Sequence, residues 1–219
     1  MRSIFQRLIA LSVLILLSPL LIVLYFIVRL TSPGPFIFKQ KRMGKDKKPF
    51  WIYKIRTMVE DAENLKSKIQ NLNEADGPAF KIYDDPRYTK VGRFLAHTGL
   101  DELPQLINII KGEMSFIGPR PLPVEEAKKI PKKYQKRFSV LPGIGSLWVV
   151  RGTNHSSFDK WMALDLESLD QLRNFVKGSQ KFVMKAKTIE DRYEIIESLV
   201  DKFNYPRLTR RNDHSTMIP

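Results

Sequence analysis

The 219-residue chain contains no cysteine. That absence removes a disulfide framework, a thiol nucleophile and any cysteine-based zinc site. Histidine is nearly missing as well: His97, His155 and His214 are scattered and offer no clustered metal-ligand set. There is no glycine-rich phosphate loop, no G-x-S-x-G elbow, no internal repeat and no low-complexity tract. Acidic residues are in deficit, with 23 Asp and Glu against 37 Lys and Arg, a formal charge of +14. Such an excess points to a polyanionic partner: nucleic acid, an anionic membrane face or phosphorylated small molecules. Charge alone does not choose among them. A hydrophobic fraction of 43% supports a core and excludes a globally disordered chain. The length suits one domain of ordinary size plus an appendage.

What is present begins at the N-terminus. Leu8 to Val28 form a run of 21 residues without a charge. As a straight helix it reaches roughly 31 Å, about one hydrocarbon thickness. No small-x-small cleavage site follows, which disfavours a secretory signal peptide. Ser18-Pro19 interrupts the middle of the run. Proline removes a backbone bond there, and the Ser hydroxyl can supply the freed carbonyl with a new partner. Arg2 and Arg7 precede the run, and Arg29, Lys39, Lys41 and Arg42 follow it. Positive charge on both flanks frustrates a simple inside–outside orientation. A helix broken at Ser18-Pro19, entering and leaving by one face, satisfies both ends. From the residues alone, a single-pass anchor and a re-entrant segment both stay open.

Residues 31–50 are rich in Pro, Gly and Lys and read as a membrane-proximal loop with one short strand at Phe36-Ile37-Phe38. Phe50-Trp51-Ile52-Tyr53 reads as a second strand. Residues 57–73 read as a helix with Leu65, Ile69 and Leu72 on one side. Leu100 to Gly112 give the clearest helix, with Leu103, Leu106, Ile107 and Ile110 spaced i, i+3, i+4, i+7. Pro104 must then lie in its first turn and Gly112 at its end. Residues 115–121 and 141–145 read as Gly/Pro loops, Ile196 to Phe203 as an amphipathic helix, and residues 207–219 as a polar, frayed tail.

Asp101-Glu102 is the leading candidate for chemistry. At a helix N-terminus an acidic cap is a sufficient structural explanation for Asp101. The same position favours an ionised carboxylate able to attack phosphorus or to hold Mg²⁺. Lys54, Arg56, Lys81, Arg87, Arg93, Arg120 and Arg151 mostly stand beside Gly, Pro or aromatic residues and are candidate phosphate contacts. Gly118-Pro119-Arg120-Pro121 fixes the backbone around one guanidinium, whose planar fork suits a diphosphate. Lys128-Lys129, Lys132-Lys133 and Lys136-Arg137 read as a solvated or headgroup-facing stripe. Asp84-Asp85 can be taken as an acidic metal pair, but Asp-Pro initiating a turn is the better reading.

Taken in order, these stretches resemble the bacterial sugar transferases known as monotopic phosphoglycosyl transferases. The resemblance runs over roughly residues 15–150. It rests on Ser18-Pro19, Ser32-Pro33-Gly34-Pro35, Gln40 to Gly44, Tyr53 to Met58, Gly77 to Lys81 and Asp85 to Thr89. It continues through Leu100 to Asn108, Gly112 to Ser115, Gly118 to Pro121 and Pro142-Gly143-Ile144. The resemblance implies a mainly α, α/β fold with short strands and interfacial amphipathic helices. Residues 1–30 would form the re-entrant membrane helix, 31–206 a cytosolic catalytic domain and 207–219 a tail. It further implies transfer of a sugar phosphate from a nucleoside diphosphate sugar, usually UDP-linked, to a polyprenyl phosphate. Asp101 would be the nucleophile, forming an acyl-phosphate with the sugar. Mg²⁺ would sit with Asp101 and the diphosphate, and Glu102 would assist. Lys54, Arg56, Lys81, Arg87, Arg120 and Arg151 would bind substrate. The expected partners are the donor, the lipid acceptor and membrane lipid, not nucleic acid. The expected location is the cytoplasmic face of a bacterial inner membrane, with oligomeric state left open.

The sequence departs from that family in three places. Where many members carry an Arg, five residues before the acidic pair, this chain has Ala96, followed by His97; Arg93 or His97 would have to replace it. After Ile144 the family's usual pattern changes, leaving Arg151 in an uncertain register. The helix that normally follows is not legible in residues 160–188. A non-catalytic, membrane-anchored basic module explains the charge and the apolar run, but not the acidic pair among rigid Arg and Pro positions. A degenerate member without turnover is the other alternative, prompted by Ala96.

Overall fold

The computed structural model describes residues 2–146, 157–167 and 169. The chain divides into two units, Met1–Leu169 and Asp170–Pro219, and every described residue belongs to the first. Arg151, the amphipathic helix expected at Ile196 to Phe203, the boundary at 206 and the polar tail lie outside the described residues.

The apolar run folds as two helices, α1 (Arg2–Leu16) and α2 (Ser18–Thr31). They meet at Leu17 with a bend of 58°. The cause is local. Pro19 has no N–H to offer the carbonyl of Ile15, and Ser18 Oγ donates to that carbonyl instead, at 2.7 Å. No single helix among the described residues is long and apolar enough to cross a membrane; the bent pair reaches the required length together.

β1 (Ile37–Met43) and β2 (Pro49–Ile55) form an antiparallel hairpin. The structure here corrects the expected loop over residues 31–50, because the strand continues to Met43. Its lysines hide the pattern: Lys39 and Lys41 face Tyr53 and Trp51 across the ladder, with ammonium-to-ring distances of 5.8 and 5.3 Å. The opposite face carries Arg42, Ile52 and Lys54 toward the interior.

The helix expected over residues 57–73 is reduced to one turn, α3 (Ala62–Leu65), followed by 3-10 turns at Lys66–Leu72. Leu72 is exposed, so the apolar spacing there buries too little to hold a regular helix. α4 (Lys90–Thr98) starts at Thr89, whose hydroxyl accepts from the Gly92 amide at 2.9 Å. Gly92 is needed because a Cβ there would stand 1.8 Å from the Thr57 carbonyl oxygen. Gly99, at φ 75°, ends α4 and turns the chain into a 3-10 turn, Leu100–Glu102. After Pro104, α5 (Gln105–Lys111) runs to Gly112 at φ 80°. The single helix expected from Leu100 is thus a 3-10 turn followed by a short α-helix.

β3 (Ser115–Ile117) and β4 (Gly143–Gly145) pair in parallel, where only loops were expected. Each has three residues, below the length at which strand periodicity can be read. Between them lie α6 (Val124–Lys128) and 3-10 turns at Lys132–Ser139. Residues 158–167 are helical.

Three apolar clusters join these parts. Ala10 of α1 packs with Leu106 and Ile109 of α5 and with Phe50 and Ile52 of β2. Leu24 and Val28 of α2 pack with Leu95 of α4 and Ile55 of β2. Met43, Leu122, Ile130, Tyr134, Phe138, Phe158 and Met162 form the third cluster. The outer sides of α1 and α2 remain apolar and exposed, including Phe5, Leu8, Ile15, Leu16, Ile22, Phe26 and Leu30. A contiguous surface of this kind marks a membrane or protein contact. The architecture is mixed α/β, mostly helical with short strands.

Candidate active site

Asp101 and Glu102 occupy the 3-10 turn between α4 and α5. They precede the α5 N-terminus by a turn, so the expected N-cap position is corrected: no side chain caps α5, and Pro104 stands at that place. What holds the pair is the hairpin. Lys54 Nζ donates to Asp101 Oδ2 at 3.0 Å and to Glu102 Oε1 at 2.8 Å. The hairpin is in turn fixed by Asn108 of α5, which is fully buried. Its Oδ1 accepts from the Tyr53 amide at 3.2 Å, and its Nδ2 donates to the Trp51 carbonyl at 2.7 Å. One side chain therefore sets the distance from the strand bearing Lys54 to the helix behind the acidic pair.

Arg120 closes the other side. Its Nη2 donates to Glu102 Oε1 at 2.5 Å. The Gly-Pro-Arg-Pro backbone is held by β3 and β4: Gly118 N donates to Gly145 O at 3.0 Å, and Gly143 N to Pro119 O at 3.1 Å. Neither glycine tolerates a side chain, since a Cβ on Gly118 would lie 2.6 Å from the Leu141 oxygen, and one on Gly143 would lie 2.1 Å from the Gly118 nitrogen.

The two acids differ in proton affinity. Asp101 is 5% exposed. Burial pushes its carboxyl above the usual range, and the Lys54 ammonium only partly opposes that. Burial acts on Glu102 as well, but Arg120 and Lys54 together hold its carboxyl far below the usual range. Glu102 is therefore a fixed negative charge, whereas Asp101 is the group whose ionisation the surroundings tune. A helix dipole had been expected to depress both; burial dominates at Asp101 instead.

Further cations stand close to Arg120. Burial and the charge of Arg120 push Lys81 down to about 8. The same two causes, in the same order, bring Arg42 down to about 10. Arg120 thus opposes the charge of both Lys81 and Arg42, a repulsion that an added anion would relieve.

The other candidates have partners of their own. Arg56 is buried, and its guanidinium donates to the Ser32, Pro33, Gly34 and Pro35 carbonyls and to Ser32 Oγ. It clamps the loop leaving α2, where Gly34 sits at φ 106°. Arg87 is held by Asp85 in a two-pronged pair, at 2.9 and 2.6 Å, and by the Ala62 carbonyl. Asp85 thus serves a turn, as expected, and Asp84 pairs with exposed Arg93. His97 stacks on Tyr83, with ring centroids 4.8 Å apart. Ser18 and Pro19 mark the helix break.

Four residues near the site escaped the sequence reading. Arg42 was noted only as a flanking charge, yet its Nη1 donates to the Pro121 carbonyl at 3.0 Å. Its place on the same ladder face as Lys54 was the available signal. Tyr88 feels the charges of Asp85, Asp101 and Arg120, which act on its hydroxyl after burial has raised it. Arg137 was assigned to a solvated stripe; it is 3% exposed and pairs with Asp165, itself 1% exposed. No spacing signal linked those two.

The sequence pattern of the family described as "Bacterial sugar transferase" matches residues 1–187. Among individual proteins, the chain is similar to "Galactosyl transferase CpsE" of Streptococcus agalactiae, 42% identical over 139 residues, covering 63% of this chain and 31% of that protein. It is 36% identical over 165 residues to "Exopolysaccharide production protein ExoY" of Sinorhizobium fredii, covering 74% and 73%. It is 42% identical over 137 residues to "UDP-glucose:undecaprenyl-phosphate glucose-1-phosphate transferase" of Escherichia coli, covering 60% and 27%. The chain therefore spans less than a third of the first and third of these relatives and about three quarters of the second. With the family's pattern matched along most of its length, the chain belongs to the bacterial sugar transferase family.

Proposed function

We propose that the protein transfers a sugar-1-phosphate from a UDP-linked hexose to a polyprenyl phosphate, with Asp101 as a covalent nucleophile. One observation carries the reading: a buried carboxylate, oriented by Lys54, lies beside Arg120, which also acts on Arg42 and Lys81, the kind of cation cluster a diphosphate needs. The names of the similar proteins, which include galactosyl and UDP-glucose:undecaprenyl-phosphate transferases, support the donor and acceptor classes.

The chemistry follows from the groups present. An Asp101 oxygen attacks the β-phosphorus of the donor. The bond from that phosphorus to the bridging oxygen breaks, and the nucleoside monophosphate leaves with the electron pair. The sugar phosphate is then held by Asp101 as an acyl phosphate, a mixed anhydride. A phosphate oxygen of the lipid attacks the same phosphorus and returns Asp101 as a carboxylate. Lys54 fixes the attacking oxygen, while Arg120 and Lys81 neutralise charge that grows on the departing phosphate. Glu102 holds Arg120 and Lys54 in place.

The acidic pair also fits Mg²⁺, which takes one or two protein carboxylates together with substrate oxygens and water. Asp101, with Glu102 beside it, supplies that number, and no group of three candidate ligands exists among the described residues. When bound, the metal would neutralise the diphosphate.

We place α1 and α2 in the cytoplasmic leaflet of a bacterial inner membrane as a re-entrant pair. Their 58° bend and exposed apolar outer faces support this. Both ends then emerge beside basic residues on one side.

The test is a donor panel. Membranes containing the protein are incubated with polyprenyl phosphate and individual UDP-sugars, and UMP is measured. At least one donor should release UMP, and Asp101→Asn should abolish release while membrane association persists. Absence of UMP from every donor, or turnover by Asp101→Asn, overturns the reading. For topology, Ser3→Cys gives a unique thiol; labelling by an external reagent on sealed cells would refute the re-entrant placement.

A further inference from the structure

We infer that the buried Arg137–Asp165 ion pair is a positioning device for Arg120, setting the guanidinium that meets the donor's diphosphate. The inference rests on the transferase reading for the identity of that ligand.

The geometry is a relay. Asp165 lies on the buried face of the 158–167 helix, in line with Phe158, Met162 and Leu169, at a position where an apolar residue would be ordinary. Its Oδ2 accepts from Arg137 Nε at 3.1 Å and from Nη2 at 2.6 Å. The same Nη2 donates to the backbone carbonyl of Arg120 at 2.8 Å. Arg120 in turn reaches Glu102. Asp165 thus orients a guanidinium whose Nη2 is also fastened to the peptide that carries Arg120.

Stability alone does not explain this arrangement. Two charges removed from water are costly, and an apolar pair of similar volume often serves a core as well or better. Phe158 and Met162, on the same helix face as Asp165, and Phe138, next to Arg137, belong to the third apolar cluster. What an apolar pair cannot supply is the donor to the Arg120 carbonyl. Pro119 and Pro121 stiffen the segment on both sides, so a bond to that one carbonyl fixes the direction in which the side chain leaves. Asp165 and Arg137 come from segments remote in sequence from the Gly-Pro-Arg-Pro stretch. Their link to Arg120 is tertiary, and only the folded chain has it.

The experiment is a double-mutant cycle on the full-length protein in detergent, with UDP as the probe and its affinity measured by calorimetry. The proteins are wild type, Arg120→Ala, the paired variant Arg137→Met with Asp165→Leu, and the triple variant. Arg137→Lys, which keeps the charge against Asp165 but lacks the planar fork, serves as a second probe if the paired variant does not fold. The paired variant should bind UDP roughly tenfold more weakly than wild type. In the Arg120→Ala background the same pair of changes should have no further effect. Arg137→Lys should weaken UDP binding in the same direction. Wild-type affinity in the paired variant, or losses that multiply with Arg120→Ala, would overturn the inference. A purely structural role predicts that multiplication. UDP binding is read independently of UMP release, so failure of the transferase reading shows up separately in the donor panel.

Discussion

Asp101 and Glu102 are sequence neighbours that share one lysine, yet their surroundings drive their proton affinities in opposite directions. The consequence for stability carries opposite signs. Asp101 binds its proton more tightly folded than unfolded, so its stabilising contribution is complete below the ordinary value of 3.8 and is lost as pH rises through the raised one. Glu102 binds its proton less tightly folded, so its contribution is present above the ordinary 4.5 and is lost as pH falls below it. Asp101→Asn should therefore raise the melting temperature at pH 7 and flatten the profile above pH 4. Glu102→Gln should lower stability at pH 7 by about 2 kcal/mol, because two half-buried cations lose a charged acceptor. Thermal unfolding from pH 3 to 8 reads both; a fall in stability with Asp101→Asn would contradict the assignment of burial as the dominant cause.

Lys81 should set the alkaline limb of the proposed activity. Its ammonium, pushed down to about 8, is charged below that pH and neutral above it. Donor affinity should fall as pH rises through 8, appearing as an increase in KM rather than a loss of kcat. Lys81→Arg should move this limb upward, since a guanidinium stays protonated. A KM profile for the donor between pH 7 and 9.5 checks the shift.

Arg56 separates a clamp from a substrate contact. Its guanidinium engages the backbone of residues 32–35. Arg56→Gln should cost about 3 kcal/mol through unpaired buried carbonyls, while the folded fraction keeps the donor KM. A raised KM at unchanged stability would instead place Arg56 on the diphosphate.

Asn108 transmits position from α5 to β2. Asn108→Leu keeps the volume but leaves the Tyr53 amide and Trp51 carbonyl without their partner. The expected loss is about 2 kcal/mol, with faster hydrogen exchange at the Tyr53 amide. Turnover should fall as well, because Lys54 is the next residue along the strand.

The parts legible in the sequence were those whose cause is local. The break at Ser18-Pro19 could be read because the missing N–H and the compensating hydroxyl are neighbours. Asp101-Glu102 stood out because two acids in so basic a chain need a reason, although their seat in a 3-10 turn was not foreseen. Parts decided by distant contacts were hidden. β1 looked like a loop because its lysines are solvated on one face, and only pairing with β2 makes it a strand. That Arg56 is held by backbone carbonyls and Arg87 by Asp85 was equally hidden, because nothing local reveals those partners. Arg137 looked like one more surface charge in a lysine stripe, since its carboxylate partner is Asp165, on a helix that shares no local pattern with it.

The packing of the bent pair has a consequence for depth. One arm rests on α5 and the other on α4, the two helices that bracket residues 100–102. Under the proposed re-entrant placement, Asp101 is mounted on the anchor itself rather than hung from a tether. Its altitude above the acyl chains would then be set by the packing of the folded protein. Changing the apolar length of either arm should move the chemistry up or down as one piece.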